Sequence, residues 1–127
     1  MLQVYSQNVQ AAQGSAFPLQ NAAFKYGSCA ELSGEATIQL NKQGVYRIAV
    51  SAASATAATI QLMVNGAASP QTLFAGTNPG FETFVYVPKT CCCCQNQFEP
   101  PTQIQIVNAG DAQATLTLLN VVVDKQK

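Results

Sequence analysis

The chain has 127 residues, of which 48% are hydrophobic and only 9% charged, and its six basic and six acidic side chains cancel. That length suits a single domain with a real core, and the lack of net positive charge argues against nucleic acid as a partner. The chain has no histidine, which removes the commonest general base and zinc ligand and, with it, Ser-His-Asp and Cys-His catalysis.

Ordinary soluble domains carry roughly 25% charged residues. A surface this poor in charge suits a subunit whose faces are covered by copies of itself, because charge is what keeps proteins apart in solution. Met1 to Gln7 has neither a basic region nor a continuous apolar stretch, so no cleaved leader is expected. No apolar run approaches the ~20 residues that span a bilayer as a helix, and no membrane partner is expected.

The informative segments have period two, the signature of strands. Leu2 to Val9 is a candidate strand, so residues 1–14 are either an N-terminal arm or the first strand of one domain covering 1–127. Ala16-Phe17-Pro18-Leu19 reads as an edge or entry position because of its proline. Phe24 to Leu32 is irregular and holds Cys29. Thr37 to Leu40 alternates and runs into the turn signal Asn41-Lys42-Gln43-Gly44. Val45 to Ala53 follows, with Tyr46, Ile48 and Val50 on one face. Ala52 to Ala58 reads as a tight connection, and Thr59 to Val64 ends at Asn65-Gly66, a strong hairpin signal that predicts a return strand over Ala68 to Phe74. Gly76 to Gly80 is a loop, Phe81 to Val87 a strand, Thr102 to Val107 another, and Ala114 to Asp124 the last and most apolar. About eight to ten closely spaced strands predict an all-β antiparallel sandwich or barrel.

Two strands are apolar on both sides. In Phe81 to Val87 the sets Phe81, Val85, Val87 and Phe84, Tyr86 both qualify, and in Leu116 to Val123 so do Leu116, Leu118, Val122 and Leu119, Val121, Val123. Such strands need cover on their outer face, and with no helix predicted, a partner subunit is the better source of it.

The six carboxylates, Glu31, Glu35, Glu82, Glu99, Asp111 and Asp124, show no catalytic spacing, and the glycines form no phosphate-binding pattern. Asn108-Ala109-Gly110-Asp111 offers oxygens to a calcium ion, but a turn using its Asn and Asp for local hydrogen bonds accounts for it more simply. Tyr46 and Tyr86, in strong strands, read as packing residues; Tyr5 and Tyr26 are open to either packing or sugar stacking. No enzymatic activity and no cofactor are expected.

Several segments resemble the trimeric jelly rolls of the C1q/tumour necrosis factor class, most of all its small bacterial and bacteriophage members, including the C-terminal domains of collagen-like spore-surface glycoproteins. The likeness rests on Phe17-Pro18-Leu19, Thr37 to Leu40, and Gly44-Val45-Tyr46-Arg47-Ile48-Ala49-Val50. It continues in Ile60 to Gly66 and in Ile104 to Asn108 followed by Ala114 to Lys125. The resemblance implies a jelly-roll sandwich that forms a homotrimer through aromatic and aliphatic side chains. The candidates for that interface are Tyr46, Phe84, Tyr86, Leu118, Leu119, Val121 and Val123. It also suggests a structural virion component, such as a capsid decoration or head or tail fibre protein, whose further partners are capsid or tail proteins. The alternatives are a module that binds host-surface carbohydrate or protein through loops such as Gly76 to Gly80, and a bacterial spore or cell-surface protein.

The remaining chemistry is in Cys29 and the run Cys91, Cys92, Cys93 and Cys94. In an extended chain neighbouring side chains point to opposite sides, so one metal ion could take all four only at a sharp fold, and they are weak metal candidates. Adjacent cysteines strain a disulfide between them, whereas bonds to Cys29 or to another subunit do not. Five is odd, so complete pairing within one chain is excluded. Crosslinking, within or between subunits, is the expected state of these five cysteines, with free thiols and a metal site as the alternatives, and it requires an oxidising destination after assembly.

Overall fold

A computed structural model describes residues 1–25, 27, 30–87 and 102–126, and among them the period-two segments form eleven strands. They are β1 (Leu2–Ala11), β2 (Asn21–Lys25), β3 (Ala30–Ser33), β4 (Thr37–Leu40), β5 (Gly44–Ala53) and β6 (Ala58–Val64). After the turn come β7 (Ala67–Ala68), β8 (Phe74–Gly76), β9 (Gly80–Val87), β10 (Thr102–Asn108) and β11 (Ala114–Lys125). The first sheet has the order β2-β1-β11-β5-β9; the second has β3-β4-β10-β6-β7, with β8 also on β6.

The pairings are nested. β1 lies on β11, β4 on β10, β5 on β9, and β6 on β7 and β8, all antiparallel. The chain is therefore one long hairpin rolled up so that successive pairs fall alternately in the two sheets, which is the jelly-roll arrangement. Its tip is Asn65-Gly66, where φ of 51° and 82° supplies the two left-handed positions a two-residue hairpin turn needs.

Alternation puts one side of every long strand into the space between the sheets. Leu2, Phe17, Ile38, Leu40, Tyr46, Ile48, Ile60, Leu62, Ile104, Ile106, Leu116 and Leu119 are the largest fully buried side chains. Burying an aliphatic or aromatic residue of this size stabilises by about 1.5–3 kcal/mol. Tyr46 is accommodated because its hydroxyl donates to the carbonyl of Lys42 at 2.7 Å.

Three local features differ from the expectations. The stretch read as irregular, Phe24 to Leu32, takes in the end of β2 and most of β3. The expected return strand from 68 to 74 is broken into β7, a 3-10 turn over Pro70–Thr72, and β8. Pro70 cannot donate to a ladder, and Thr72 takes over: its buried hydroxyl accepts from Leu62 N (2.9 Å) and donates to Ser69 O (2.7 Å). This irregular edge offers no continuous row of backbone groups to another chain. The third difference is in β11. Its inward residues are Leu116, then Leu119, Val121 and Val123, while Thr117 and Leu118 both face out. β1 makes the same double step at Gln7 and Asn8, where Asn8 has φ 54°. Because both strands step together, pairing continues on either side, from Gln7 opposite Leu118 to Val9 opposite Leu116.

Residues 15–20 cross between the sheets. Ala16 bridges Val107, Phe17 N donates to Ile106 O at 2.8 Å, and Phe17 and Leu19 fill the core. Ser6 pins the crossing: its hydroxyl donates to Pro18 O (2.8 Å) and accepts from Gln20 N (2.8 Å). No helix among the described residues is long and apolar enough to cross a membrane.

Candidate functional site

The outer face of the first sheet is where the sequence and the fold leave an unsatisfied need. Across β11, β5 and β9 the register sets Val122 beside Ala49 and Glu82, Asp124 beside Arg47 and Phe84, and Val45 beside Tyr86. Leu118 lies beside Ala53, and Tyr5 on β1 beside Asn120. Val122 and Ala49, side by side, and Val45, two rows on, are half-buried apolar positions of the middle strands, with Arg47 and Asp124 in the row between. Phe84 is 59% exposed, Tyr86 63% and Leu118 41%. Arg47 and Glu82 neutralise each other at 3.4 Å, and Gln3 Nε2 donates to Asn120 Oδ1 at 3.1 Å. Burial of this face against an apolar partner would therefore leave few charges unpaired.

β9 is also an edge. Among the described residues its ladder is to β5 alone, extended by Ala52 N to Pro79 O at 2.9 Å and Ser54 N to Thr77 O at 2.8 Å. The chain approaches β5 so closely here that a Cβ on Gly80 would stand 2.8 Å from Val50 O.

The structure divides the seven interface candidates. Phe84, Tyr86 and Leu118 are on the outer face. Tyr46, Leu119, Val121 and Val123 point the other way and are fully buried within the protomer, so their side chains are not available to a neighbour. The two-sided reading of β11 is corrected to the same extent, because the step at Thr117 sends Leu116 inward with Leu119, Val121 and Val123. Val45 and Ala49 are not among the candidates read from the sequence; they join Val122 on this face only once β5 and β11 are known to be neighbours.

Other proposed sites are placed as follows. Cys29, Cys91, Cys92, Cys93, Cys94 and Tyr26 lie outside the described residues. Asn108 is fully buried and its amide is used both within the turn and across to β1: Nδ2 donates to Ala112 O (2.8 Å) and to Ala11 O (3.0 Å), and Oδ1 accepts from Gly110 N (3.0 Å). The turn reading of 108–111 accounts for this side chain, which closes a cavity of about 190 Å³ lined also by Thr59, Asp111 and Gln113. A shallower cleft of about 430 Å³ lies between Pro18, Gln20, Leu32 and Glu35. Glu31 pairs with Lys25 at 3.3 Å.

No family model and no characterised protein matches this sequence. Among solved structures it is similar to rabbit GITRL, with 16% identity and a TM-score of 0.49 over 94% of this chain and 96% of that one. It is also similar to pika GITRL, with 14% identity and a TM-score of 0.48 over 96% and 100%. The nested strand pairing, rather than these likenesses, is what defines the fold as a jelly roll.

Proposed function

We propose that the protein is a non-enzymatic structural subunit that assembles as a homotrimer through the outer face of its first sheet, and that the trimer is a component of a bacteriophage particle, as a capsid decoration or a head or tail fibre protein. The observation that carries this reading is the exposure of Phe84, Tyr86 and Leu118 on the face that also carries the half-buried Val45, Ala49 and Val122. The mechanism is burial of apolar area, worth about 25 cal/mol for each Å² removed from water, with the Arg47–Glu82 pair already neutral inside each protomer. The low charge of the chain supports the same reading, since little of its surface needs water for solvation of ions. The virion assignment rests on the sequence resemblance and on the self-covering composition.

Sedimentation equilibrium tests the assembly: a mass near three 13.4 kDa chains that persists in high salt is expected, because hydrophobic contacts are not screened. A monomer at micromolar concentration overturns it. Immunogold labelling of virions and of spores tests the location, and label confined to spores or the cell surface overturns the particle assignment.

A further inference from the structure

The outer face of the second sheet has a different chemistry. Its rows run Glu31–Gln39–Gln103, then Ser33–Thr37, with Gln105 beside Met63, and Val107–Gln61. The one charged residue in these rows, Glu31, is taken up by Lys25. Gln39, Gln105 and Gln61 are on three adjacent strands, each one step further along, so they form a straight diagonal with a spacing of about 8 Å from strand geometry.

Each of the three is clamped through its amide nitrogen. Gln39 Nε2 donates to Ser33 Oγ (3.1 Å), Gln105 Nε2 to Thr37 Oγ1 (3.0 Å), and Gln61 Nε2 to Ser69 O (3.2 Å). Ser69 O can only accept, which fixes the orientation of the Gln61 amide. The Gln61 clamp leaves its Oε1 with no protein donor among the described residues, while the hydroxyl partners of Gln39 and Gln105 can accept or donate, so each of those half-buried side chains presents the other end of its amide. Gln103, exposed at the same level as Gln39, adds a free amide.

We propose that this face binds a neutral polysaccharide or oligosaccharide, laid along the diagonal from Gln39 through Gln105 to Gln61. A line of held, uncharged amides calls for a partner rich in uncharged groups that both donate and accept, and sugar hydroxyls do both. An anionic ligand would find no cation on the strands, since Lys25 is held by Glu31. An apolar surface would strip water from the amide oxygens without replacing the hydrogen bonds. The clamps have already restricted the side chains, so less rotamer freedom is lost on binding. Met63, between Gln105 and the exposed Ala68, gives the hydrocarbon side of a sugar ring a place to rest. The site is on the opposite sheet from the self-association face and does not depend on it.

The test is calorimetric or NMR titration of the full chain with neutral oligosaccharides of glucose, mannose, galactose and N-acetylglucosamine, with a sulfated glycan beside them. At least one neutral member binds, equally well at low and high salt. Gln61→Ala and Gln105→Ala each weaken it roughly three- to tenfold, the range for one lost hydrogen bond, with circular dichroism and melting unchanged. Silence across the neutral panel, binding only of the sulfated glycan with loss in salt, or affinity that survives both substitutions overturns the proposal.

Discussion

Asn108 shows how much one side chain can hold. It lies at the end of β10, fully buried, and ties β1 through Ala11 O and the following turn through Ala112 O and Gly110 N. Asn108→Ala removes all three bonds, and the cost, about 1–3 kcal/mol, falls on Ala11 O, the partner whose bond is buried. Asn108→Asp is expected to be worse than Ala, because a carboxylate would face two carbonyl oxygens in place of the two N–H donors, with no cation to compensate. Urea midpoints of the two variants check this; a midpoint for Asn108→Asp equal to wild type overturns it. Ser6 is the equivalent at the crossing segment, and Ser6→Ala is expected to cost about 1–3 kcal/mol, since Gln20 N and Pro18 O lose their shared partner inside the sandwich. The sequence shows why Asn108 belongs to a turn. It does not show that the residue is buried, because burial comes from β1, nearly a hundred residues away.

At the level of elements, alternation made most of the sandwich legible: β4, β5, β6, β9, β10 and β11 are apolar on one side for a run long enough to read. What it missed has a physical cause in each case. β2 and β3 are no shorter than β4, but each has a single large apolar residue, Phe24 and Leu32, where β4 has two, Ile38 and Leu40, so no period emerges. The break in the return strand depends on Thr72 substituting for a backbone group, which no pattern encodes. In β11 a period-two reading carried across Thr117 gives two apolar faces, whereas the strand takes a double step there, matched by β1 at Asn8. Four of the seven interface candidates lie in the core for a related reason: an apolar residue in a strand identifies a packing surface but not which sheet face it belongs to. The matched step makes a prediction of its own. Asn8 has φ 54°, a region that asparagine and glycine tolerate and β-branched residues do not. Asn8→Gly should therefore change stability by only a few tenths of a kcal/mol, while Asn8→Val should cost about 1–2 kcal/mol; equal urea midpoints for the two would contradict the double step. On β9, Gly80→Ala places a methyl group against the carbonyl of Val50 on β5. Neither backbone can yield without disturbing the ladder, so a loss of about 1–3 kcal/mol is expected from overpacking, read from the same denaturation curves.

The molecule as a whole is a rolled hairpin with two outer faces of unlike chemistry: one exposes Phe84, Tyr86 and Leu118 beside the Arg47–Glu82 pair, and the other is lined by amides with one paired carboxylate, Glu31. The unlike faces give the assembly reading a test that separates it from mere stability. Phe84, Tyr86 and Leu118 point away from the core, so replacing all three with serine leaves the protomer's interior intact and removes apolar surface only from the face proposed to be shared. Leu119 and Val121 sit on the same strand as Leu118 but point inward, fully buried, and Leu119→Ala should cost about 2–5 kcal/mol of folding stability. If the protein is a trimer, its melting temperature rises with protein concentration, because assembly withdraws folded chains from the unfolding equilibrium. The triple serine variant should sediment as a monomer, keep its β-sheet circular dichroism, and melt at a temperature independent of concentration. Leu119→Ala should melt earlier yet keep the concentration dependence. A wild-type melting temperature that does not move across a hundredfold range of concentration, or a triple variant that still sediments at three chains, would remove the outer face of the first sheet as the site of assembly.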